Sequence, residues 1–352
     1  MMRVTNSPLR VGVLGAGAIG GYLGVRLSAA GVPVTLVGRP DLVAARASLV
    51  AYDLDGRAYA PSNSLVVSAS PDALADVDVC LVTVKSADTA KAGESLREVL
   101  KSATPVVSIQ NGIRNARVLA ENLGRGATPG MVTYNVRREG AGFRRNTTGP
   151  LMAGQGTGPE RDVLKRLAQA FANAGEPMVL HPNIEGILVG KLLLNLNNGL
   201  CALTGLSVAD SLKSRPLRRC FATCLREGLA VVRKAGLPVE RIGPLAPGLV
   251  AWALTLPDAI FFRVARSMMS INPAARSSTL QDLDRGKPTE IDYLSGEIVA
   301  LAREHGLSAP ANAFVVERVH RLERAGLPPP FIAAESVWQD LERVTQSAHT
   351  NS

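Results

Sequence analysis

Aromatic side chains, histidines and cysteines are all scarce in this chain. Of 352 residues only 4% are Phe, Trp or Tyr, and there are four histidines and four cysteines. The shortage of aromatics matters beside a formal charge of +9. Proteins that grip single-stranded nucleic acid stack bases on aromatic rings set among cations. Here the cations are spread out, with small groups only at Arg137-Arg138, Arg144-Arg145 and Arg218-Arg219. The excess therefore reads as a basic surface that attracts an anionic cofactor and an anionic substrate, with no nucleic-acid partner. Cys80 lies in a strand-like run, and Cys220 and Cys224 share a helical face. His181, His305, His320 and His349 offer them no partner spacing, so neither a metal site nor a disulfide framework is expected. Buried reduced thiols and a cytoplasmic location fit this usage.

Membrane features are equally sparse. Ile242–Phe262 lacks Lys and Arg, but it holds Pro244, Pro247, Pro257 and Asp258, which argues against an uninterrupted spanning helix. It reads as an apolar insertion that packs on a second domain or forms a subunit contact, allowing a homodimer. No long apolar core follows the first basic residue, so no signal peptide is expected. The sequon Asn146-Thr147-Thr148 then reads as accidental. No internal repeat or low-complexity block is visible.

Glycine, in contrast, is placed with purpose. An apolar run from Val11 to Leu14 leads into Gly15-Ala16-Gly17-Ala18-Ile19-Gly20, then a helical stretch and a second apolar run, Val34–Val37. In a dinucleotide-binding turn the first glycine permits the tight bend, and the second lets backbone approach the pyrophosphate. The third lets the helix pack on the sheet. The phosphates then meet the positive end of the helix. The second run ends in Gly38-Arg39, where NAD-preferring enzymes carry an acidic residue. A guanidinium there suits a 2′-phosphate, so Arg39 argues for NADP. Asp41 competes for a ribose contact, but it reads better as facing solvent or capping a helix over Asp41–Ser48.

The length suggests two domains. Candidate strands at Arg10–Leu14, Val34–Val37, Ser64–Ser68, Val79–Val84, Pro105–Ile109 and Val132–Val136 alternate with helices at Ile19–Ala30, Ala87–Leu100 and Arg114–Leu123. This predicts an α/β fold with a mostly parallel sheet covered on both faces. Arg137–Gly149 and Leu151–Gly154 suggest added antiparallel strands, followed by a helix over Glu160–Ala174 and a strand at Met178–Leu180. After His181-Pro182 the texture becomes helical: Ile184–Leu203, Pro216–Ala235, Val250–Arg266, Thr289–His305 and Asn312–Ala325. We therefore divide the chain into a Rossmann-type dinucleotide-binding domain, 1–181, and a mostly helical domain, 182–352. Beyond Leu327, one short helix and a fraying polar end are expected.

Four further segments carry polar groups where ligands bind or where burial makes them costly. Lys85 ends the strand Leu81–Val84, and Gln110-Asn111-Gly112 ends the next, at strand termini that face ligands in open parallel sheets. Asn111 can orient a nicotinamide or a substrate oxygen, or simply make a turn. Lys191, Asn195 and Asn198 are four and three apart in a leucine-rich helix and so share a face. Arg276–Asp282 precedes Lys287-Pro288-Thr289-Glu290-Ile291-Asp292, where Thr289 and Asp292 resemble a helix start with Glu290 in the first turn.

In this order and spacing, from about Arg10 to Arg324, these residues resemble the ketopantoate reductase (2-dehydropantoate 2-reductase) family, of the 6-phosphogluconate-dehydrogenase-like fold group. The resemblance implies NADPH-dependent reduction of ketopantoate to pantoate in pantothenate biosynthesis. It implies that Lys191 donates the proton, that Glu290 supports the lysine, substrate and cofactor, and that Asn195, Asn198 and Ser278 hold the substrate. Lys85 and Asn111 would lie at the cofactor–substrate junction. The chain departs from the family in having Gly199 where a second asparagine is common, Ala275 where some members carry asparagine, and a longer segment at Ile242–Asn272. The alternatives are an NADPH-dependent reductase of another small 2-keto acid or ketone on the same scaffold and a non-catalytic NADP-binding sensor.

Overall fold

The structure, a computed structural model, describes residues 7–242, 245–264 and 276–350. Ala275, Arg266 and part of the apolar insertion (243–244 and 265–272) lie outside them. Packing divides the chain into two compact units, Met1–Ile184 and Glu185–Ser352.

The first unit is built on strands β1 (Val11–Leu14), β2 (Val34–Val37), β3 (Val50–Tyr52), β4 (Ala58–Tyr59), β5 (Leu65–Ser68), β6 (Val79–Val82), β7 (Val106–Ile109), β8 (Thr128–Val132), β9 (Val136–Glu139), β10 (Gly142–Arg145), β11 (Leu151–Gly154) and β12 (Met178–His181). Its helices are α1 (Ala18–Ala29), α2 (Pro40–Ala44), α3 (Thr89–Val99), α4 (Asn115–Leu123) and α5 (Gly158–Asn173). Eight strands form the main sheet in the order β12-β11-β8-β7-β6-β1-β2-β5. From β8 to β5 all neighbours are parallel, and β11 joins β8 antiparallel. Alternation along each strand sends Val11, Val13, Val79 and Leu81 to one face, packed with α1 and α5. Leu14, Cys80 and Val82 point to the other face, against α3 and α4.

Val132–Val136 is not the single strand expected, because the chain leaves the main sheet there. Thr133 donates its backbone N–H to the Pro150 carbonyl at 3.1 Å, and the Asn135 N–H goes to Thr147 Oγ1 at 2.8 Å. The chain then enters a second sheet, ordered β4-β3-β10-β9. Strands β3 and β4 hold only three and two residues, too few to show an alternating pattern. Their turn is shaped by Asp53, which accepts from the N–H groups of Asp55 and Arg57 and from the Tyr59 hydroxyl at 2.9–3.1 Å.

This small sheet is tied to α1 by a buried ionic cluster. Arg26 and Glu176, 3% and 2% exposed, form an ion pair at 3.0 Å. Arg145 of β10 reaches the same carboxylate at 2.6 Å, and Tyr22 donates its hydroxyl to it. Arg26 also stacks 3.8 Å from the Tyr59 ring centroid. The cluster holds in place the helix that follows the glycine turn.

The second unit is helical: α6 (Ile184–Asn195), α7 (Asn197–Thr204), α8 (Val208–Lys213), α9 (Arg215–Lys234), α10 (Pro247–Ala253), α11 (Asp258–Val264), α12 (Ser278–Leu283), α13 (Ser295–Glu304), α14 (Pro310–Ala325) and α15 (Ala334–Thr350). The long helix expected over Ile184–Leu203 is present as α6 and α7, joined through Leu196, whose backbone stays right-handed helical. Taken together, Ile184–Thr204 is long and apolar enough to cross a membrane, but most of it is buried inside the protein. It behaves as the central helix of the unit. The helix expected from Val250 is two short ones, split around Pro257, whose ring cannot continue a helix interior. Within the apolar insertion, Val250, Ala251, Ala253 and Phe261 are buried, whereas Leu249, Trp252, Ile260 and Val264 are exposed. The tail helix is longer than expected at 17 residues. It is docked as well as long, since Val337 and Leu341 are buried.

Candidate active site

The glycine turn has the stereochemistry its spacing implied. Gly15 has φ +100°, and a Cβ there would stand 2.6 Å from the Val84 nitrogen. A Cβ on Gly20 would stand 2.2 Å from Thr83 Oγ1 and 2.4 Å from the Gly15 carbonyl oxygen. Gly17 differs: a Cβ there would meet nothing within 4 Å, so its bareness keeps an outer face clear. The first intrahelical bond of α1 runs from Gly21 N–H to Gly17 O at 2.9 Å. The amides of Ala18, Ile19 and Gly20 thus have no carbonyl upstream within the helix, and no acidic residue occupies its first turn. Open backbone, outward amides and the absence of a competing carboxylate in that turn suit a pyrophosphate.

Sheet order then gathers the other candidates of this unit. Asn111 follows β7, Lys85 follows β6, the glycine turn follows β1 and Arg39 follows β2, and these four strands are adjacent and parallel. They share one carboxyl edge, with the strand order reversing at β1, where ligands bind in such sheets. Three strand gaps of about 4.8 Å set the ends of this row roughly 14 Å apart. Lys85 and Arg39 are exposed and Asn111 is half-buried. Gly38 brings the Arg39 corner hard against the turn, because its Cβ would stand 2.8 Å from that of Ala16.

The loops after β6 and β7 are locked together by a polar network that sequence reading missed. Gln110 donates from Nε2 to the Val84 carbonyl at 3.0 Å and to Thr89 Oγ1 at 2.8 Å, while accepting from Ser108 at 2.8 Å. Thr89 donates to Asn115 Oδ1 at 2.9 Å. Asn115 donates in turn to Ser86 Oγ at 3.0 Å and to the Asn111 carbonyl. The side chains that make these bonds, those of Ser86, Thr89, Ser108, Gln110 and Asn115, are all buried. The only available signal was the cluster of polar residues at apolar strand ends.

Asp41 does not cap α2. Arg39 occupies the N-cap position with Pro40 in the first turn, and the Asp41 carboxylate instead accepts from Arg138 of β9 at 2.9 Å. Burial alone would raise the Asp41 carboxyl, but the hydrogen bond and charge of Arg138, with the charge of Arg39, outweigh this and hold it below the usual carboxylate range.

In the helical unit Lys191 lies one residue after Gly190, whose Cβ would stand 2.1 Å from the Glu240 carbonyl oxygen. The neighbouring segment is pinned there, with Glu240 N–H donating to Gly186 O at 2.9 Å. Lys191 as a residue keeps partial solvent access, but its surroundings are dense. Burial pushes its ammonium down to about 8, and the charge of Glu290 opposes that effect. Glu290 is not in a helical first turn as expected. It precedes a 3₁₀ turn over Ile291–Tyr293, and α13 starts only at Ser295. The local reason is Thr289, whose hydroxyl accepts from Ile291 N–H at 3.2 Å, two residues on instead of the three a capping box needs.

Asn195 ends α6 and Asn198 lies on α7, past Leu196, whose backbone stays right-handed helical at φ −59° and ψ −23°. Asn198 meets Ser278, donating from Nδ2 to its hydroxyl at 3.5 Å. Ser277, not singled out in the sequence, holds this contact: it accepts from Leu280 N–H at 3.2 Å as the cap of α12 and donates to the Asn198 carbonyl at 3.3 Å. Gly199 has no room for the asparagine common in the family, since a Cβ would stand 2.4 Å from Val315 of α14. All four cysteines are buried and unbridged. Among the described residues no cluster of His, Cys, Asp or Glu is arranged to hold a metal.

A glycine turn on the switch strand of a parallel sheet, followed by a helical unit with an electrostatically tuned lysine, defines the class: a nicotinamide-dinucleotide-dependent oxidoreductase. Comparison with known proteins gives the particular branch. The family model described as ketopantoate reductase PanE/ApbA matches residues 11–157, and its C-terminal counterpart matches residues 183–323. The 2-dehydropantoate 2-reductase of Halobacterium salinarum is 28% identical over 328 residues, covering 90% of this chain and 100% of the relative. The PanE/ApbA family ketopantoate reductase of Ralstonia eutropha JMP134 matches in structure with a TM-score of 0.76 at 30% identity, over 90% of this chain and 99% of that one. D-mandelate dehydrogenase, solved with NADH and anilino(oxo)acetate, shares the fold with a TM-score of 0.73 at 20% identity, over 90% of this chain and 99% of that one. The chain belongs to the ketopantoate reductase family.

Proposed function

We propose that this chain reduces ketopantoate to pantoate with NADPH, the 1–181 domain holding the cofactor and the 182–352 domain the substrate. The observation that carries the reading is Lys191, whose proton affinity is brought to about 8 by burial against the charge of Glu290. A reduced nicotinamide supplies the hydride when bound. The substrate carbonyl oxygen gains the electron pair of its C=O bond as hydride reaches the carbon. Lys191 then transfers a proton from Nζ to that oxygen, completing the alcohol and leaving a neutral amine that solvent reprotonates. Glu290 keeps the lysine charged before the step and contacts substrate and cofactor. Asn195, Asn198 and Ser278 donate to the substrate carboxylate and hydroxyl. Ala16, Ala18, Ile19 and the three glycines hold the pyrophosphate, Arg39 takes the 2′-phosphate, and Lys85 and Asn111 orient the nicotinamide end.

A second reading rests on Gly199. With glycine there, the second amide of the substrate grip falls at Asn198 instead, and this altered spacing favours another small 2-keto acid or ketone. NADPH oxidation by the purified protein, followed with ketopantoate against pyruvate-like and bulkier analogues, separates the two. Lys191→Ala should lower kcat by two orders of magnitude or more while changing NADPH affinity less than threefold. Near-normal turnover would remove Lys191 from the mechanism. The exposed Leu249, Trp252, Ile260 and Val264 favour pairing of two copies, which light scattering of the purified protein would detect as a doubled mass.

A further inference from the structure

Arg138 of β9 comes from the small second sheet, 97 residues from the carboxylate it binds. It is held at three points. Its Nη2 donates to Asp41 at 2.9 Å, its Nε donates to the Gly140 carbonyl at 3.0 Å, and its guanidinium lies 6.0 Å from the Phe143 ring centroid. Phe143 sits against Gly21 in the first turns of α1, where a Cβ would stand 2.2 Å from the ring. The Arg138 side chain is 21% exposed, against 55% for Asp41 and 74% for Arg39. Arg39 Nε itself stands 3.9 Å from Asp41.

A free carboxylate beside the ribose accepts from its 2′-hydroxyl and repels a 2′-phosphate. Asp41, two residues after Arg39, is positioned to be that carboxylate. Two guanidiniums against one carboxylate leave a charge of +1 at this corner, and without Arg138 it would be zero. We propose that Arg138 is a specificity-determining residue for the phosphorylated dinucleotide. By engaging Asp41 it removes the acceptor that an unphosphorylated ribose would use, and it leaves Arg39 to the 2′-phosphate. This rests on the NADPH reading of the site.

The test is calorimetric binding of NADP⁺ and NAD⁺, without substrate, to wild type, Arg138→Ala, Arg138→Lys, Asp41→Asn and the Asp41→Asn/Arg138→Ala double variant. Wild type should prefer NADP⁺. Arg138→Ala should weaken NADP⁺ by about tenfold, one 1.4 kcal/mol increment, while NAD⁺ holds or gains. The double variant should recover most of the lost NADP⁺ affinity, because the freed carboxylate is gone. Asp41→Asn alone should keep NADP⁺ affinity, and Arg138→Lys should keep most of the preference. Equal losses for both nucleotides in Arg138→Ala, or no recovery in the double variant, would overturn the role of Arg138. Should Arg138→Ala not fold, a fall in NADP⁺ affinity in the exposed Asp41→Asn variant would overturn it equally. A wild type without preference for NADP⁺ would instead sink the NADPH reading itself, and this inference with it.

Discussion

Thr83 donates its hydroxyl to the Gly15 carbonyl at 2.6 Å, and the same oxygen fills the space that a Cβ on Gly20 would need. The end of β6, the parallel neighbour of β1, thereby clamps the glycine turn from the side. Gly17, between the two clamped glycines, is left open.

The middle and last glycines of the turn should therefore respond differently to the same methyl group. Gly20→Ala must displace both Thr83 and a backbone carbonyl, and should destabilise the fold by about 1–3 kcal/mol. Gly17→Ala meets no protein atom, and at this extended N-cap position it should cost less than about 1 kcal/mol. Its dinucleotide affinity should nevertheless fall about tenfold or more. Urea denaturation and cofactor titration of each variant separate the effects. Equal loss of stability in both would contradict the geometry.

The lowered Lys191 value sets a pH dependence. A general acid must be protonated, so kcat/KM for keto-acid reduction should fall as pH rises through about 8. Glu290 raises the lysine value, so Glu290→Gln should move that limb to lower pH; a shift to higher pH would contradict the pairing. Stability runs the other way. The unfolded lysine, near its ordinary 10.5, binds more protons than the folded one between about 8 and 10.5. Wild type should gain stability relative to Lys191→Met as pH rises through that window, as denaturation at stepped pH would show.

The network around Gln110 should matter beyond its own bonds. Gln110→Ala leaves the Val84 carbonyl and Thr89 short of a donor, costing about 1–3 kcal/mol. Because the same bonds hold the loops that carry Lys85 and Asn111, the KM for the nucleotide should rise as well. Denaturation paired with steady-state kinetics reads both, and a stability loss with unchanged KM would confine Gln110 to the scaffold.

Glu176→Gln should be among the most harmful single changes. It strands Arg26 and Arg145 around an uncharged amide, and breaking a buried pair in this way costs about 3–5 kcal/mol. Thermal unfolding should record a large drop, and a shift of a degree or less would show that the cluster is dispensable.

Thiol chemistry gives a last check. Burial pushes Cys80 and Cys220 up to about 12 and Cys201 up to about 11, so a thiol-reactive dye should find almost no thiolate in the native protein. Four equivalents should react after denaturation. Fast labelling of the native state would mean that the sheet core around Cys80 or the helical core around the other three opens readily.

Much of this was legible because it is local. Strands alternating with helices, the turn from Gly15 to Gly20 and the change of texture near His181 all depend on neighbours within a few residues. The short strands β3 and β4 were not legible, since two or three residues carry no periodicity. Nor was the docking of α15, whose buried face is visible only against its partners.

By itself the chain determined where backbone must bend, bare itself and begin a helix, because those demands are set by φ, Cβ size and the first few amides. Tertiary structure alone decided what the charges do. Asp41 meets Arg138 across 97 residues, Gly199 is sealed by Val315, and Lys191 is desolvated beside a segment pressed onto Gly190. Electrostatic energies depend on which atoms surround a group, and those atoms arrive from distant parts of the chain only when it folds.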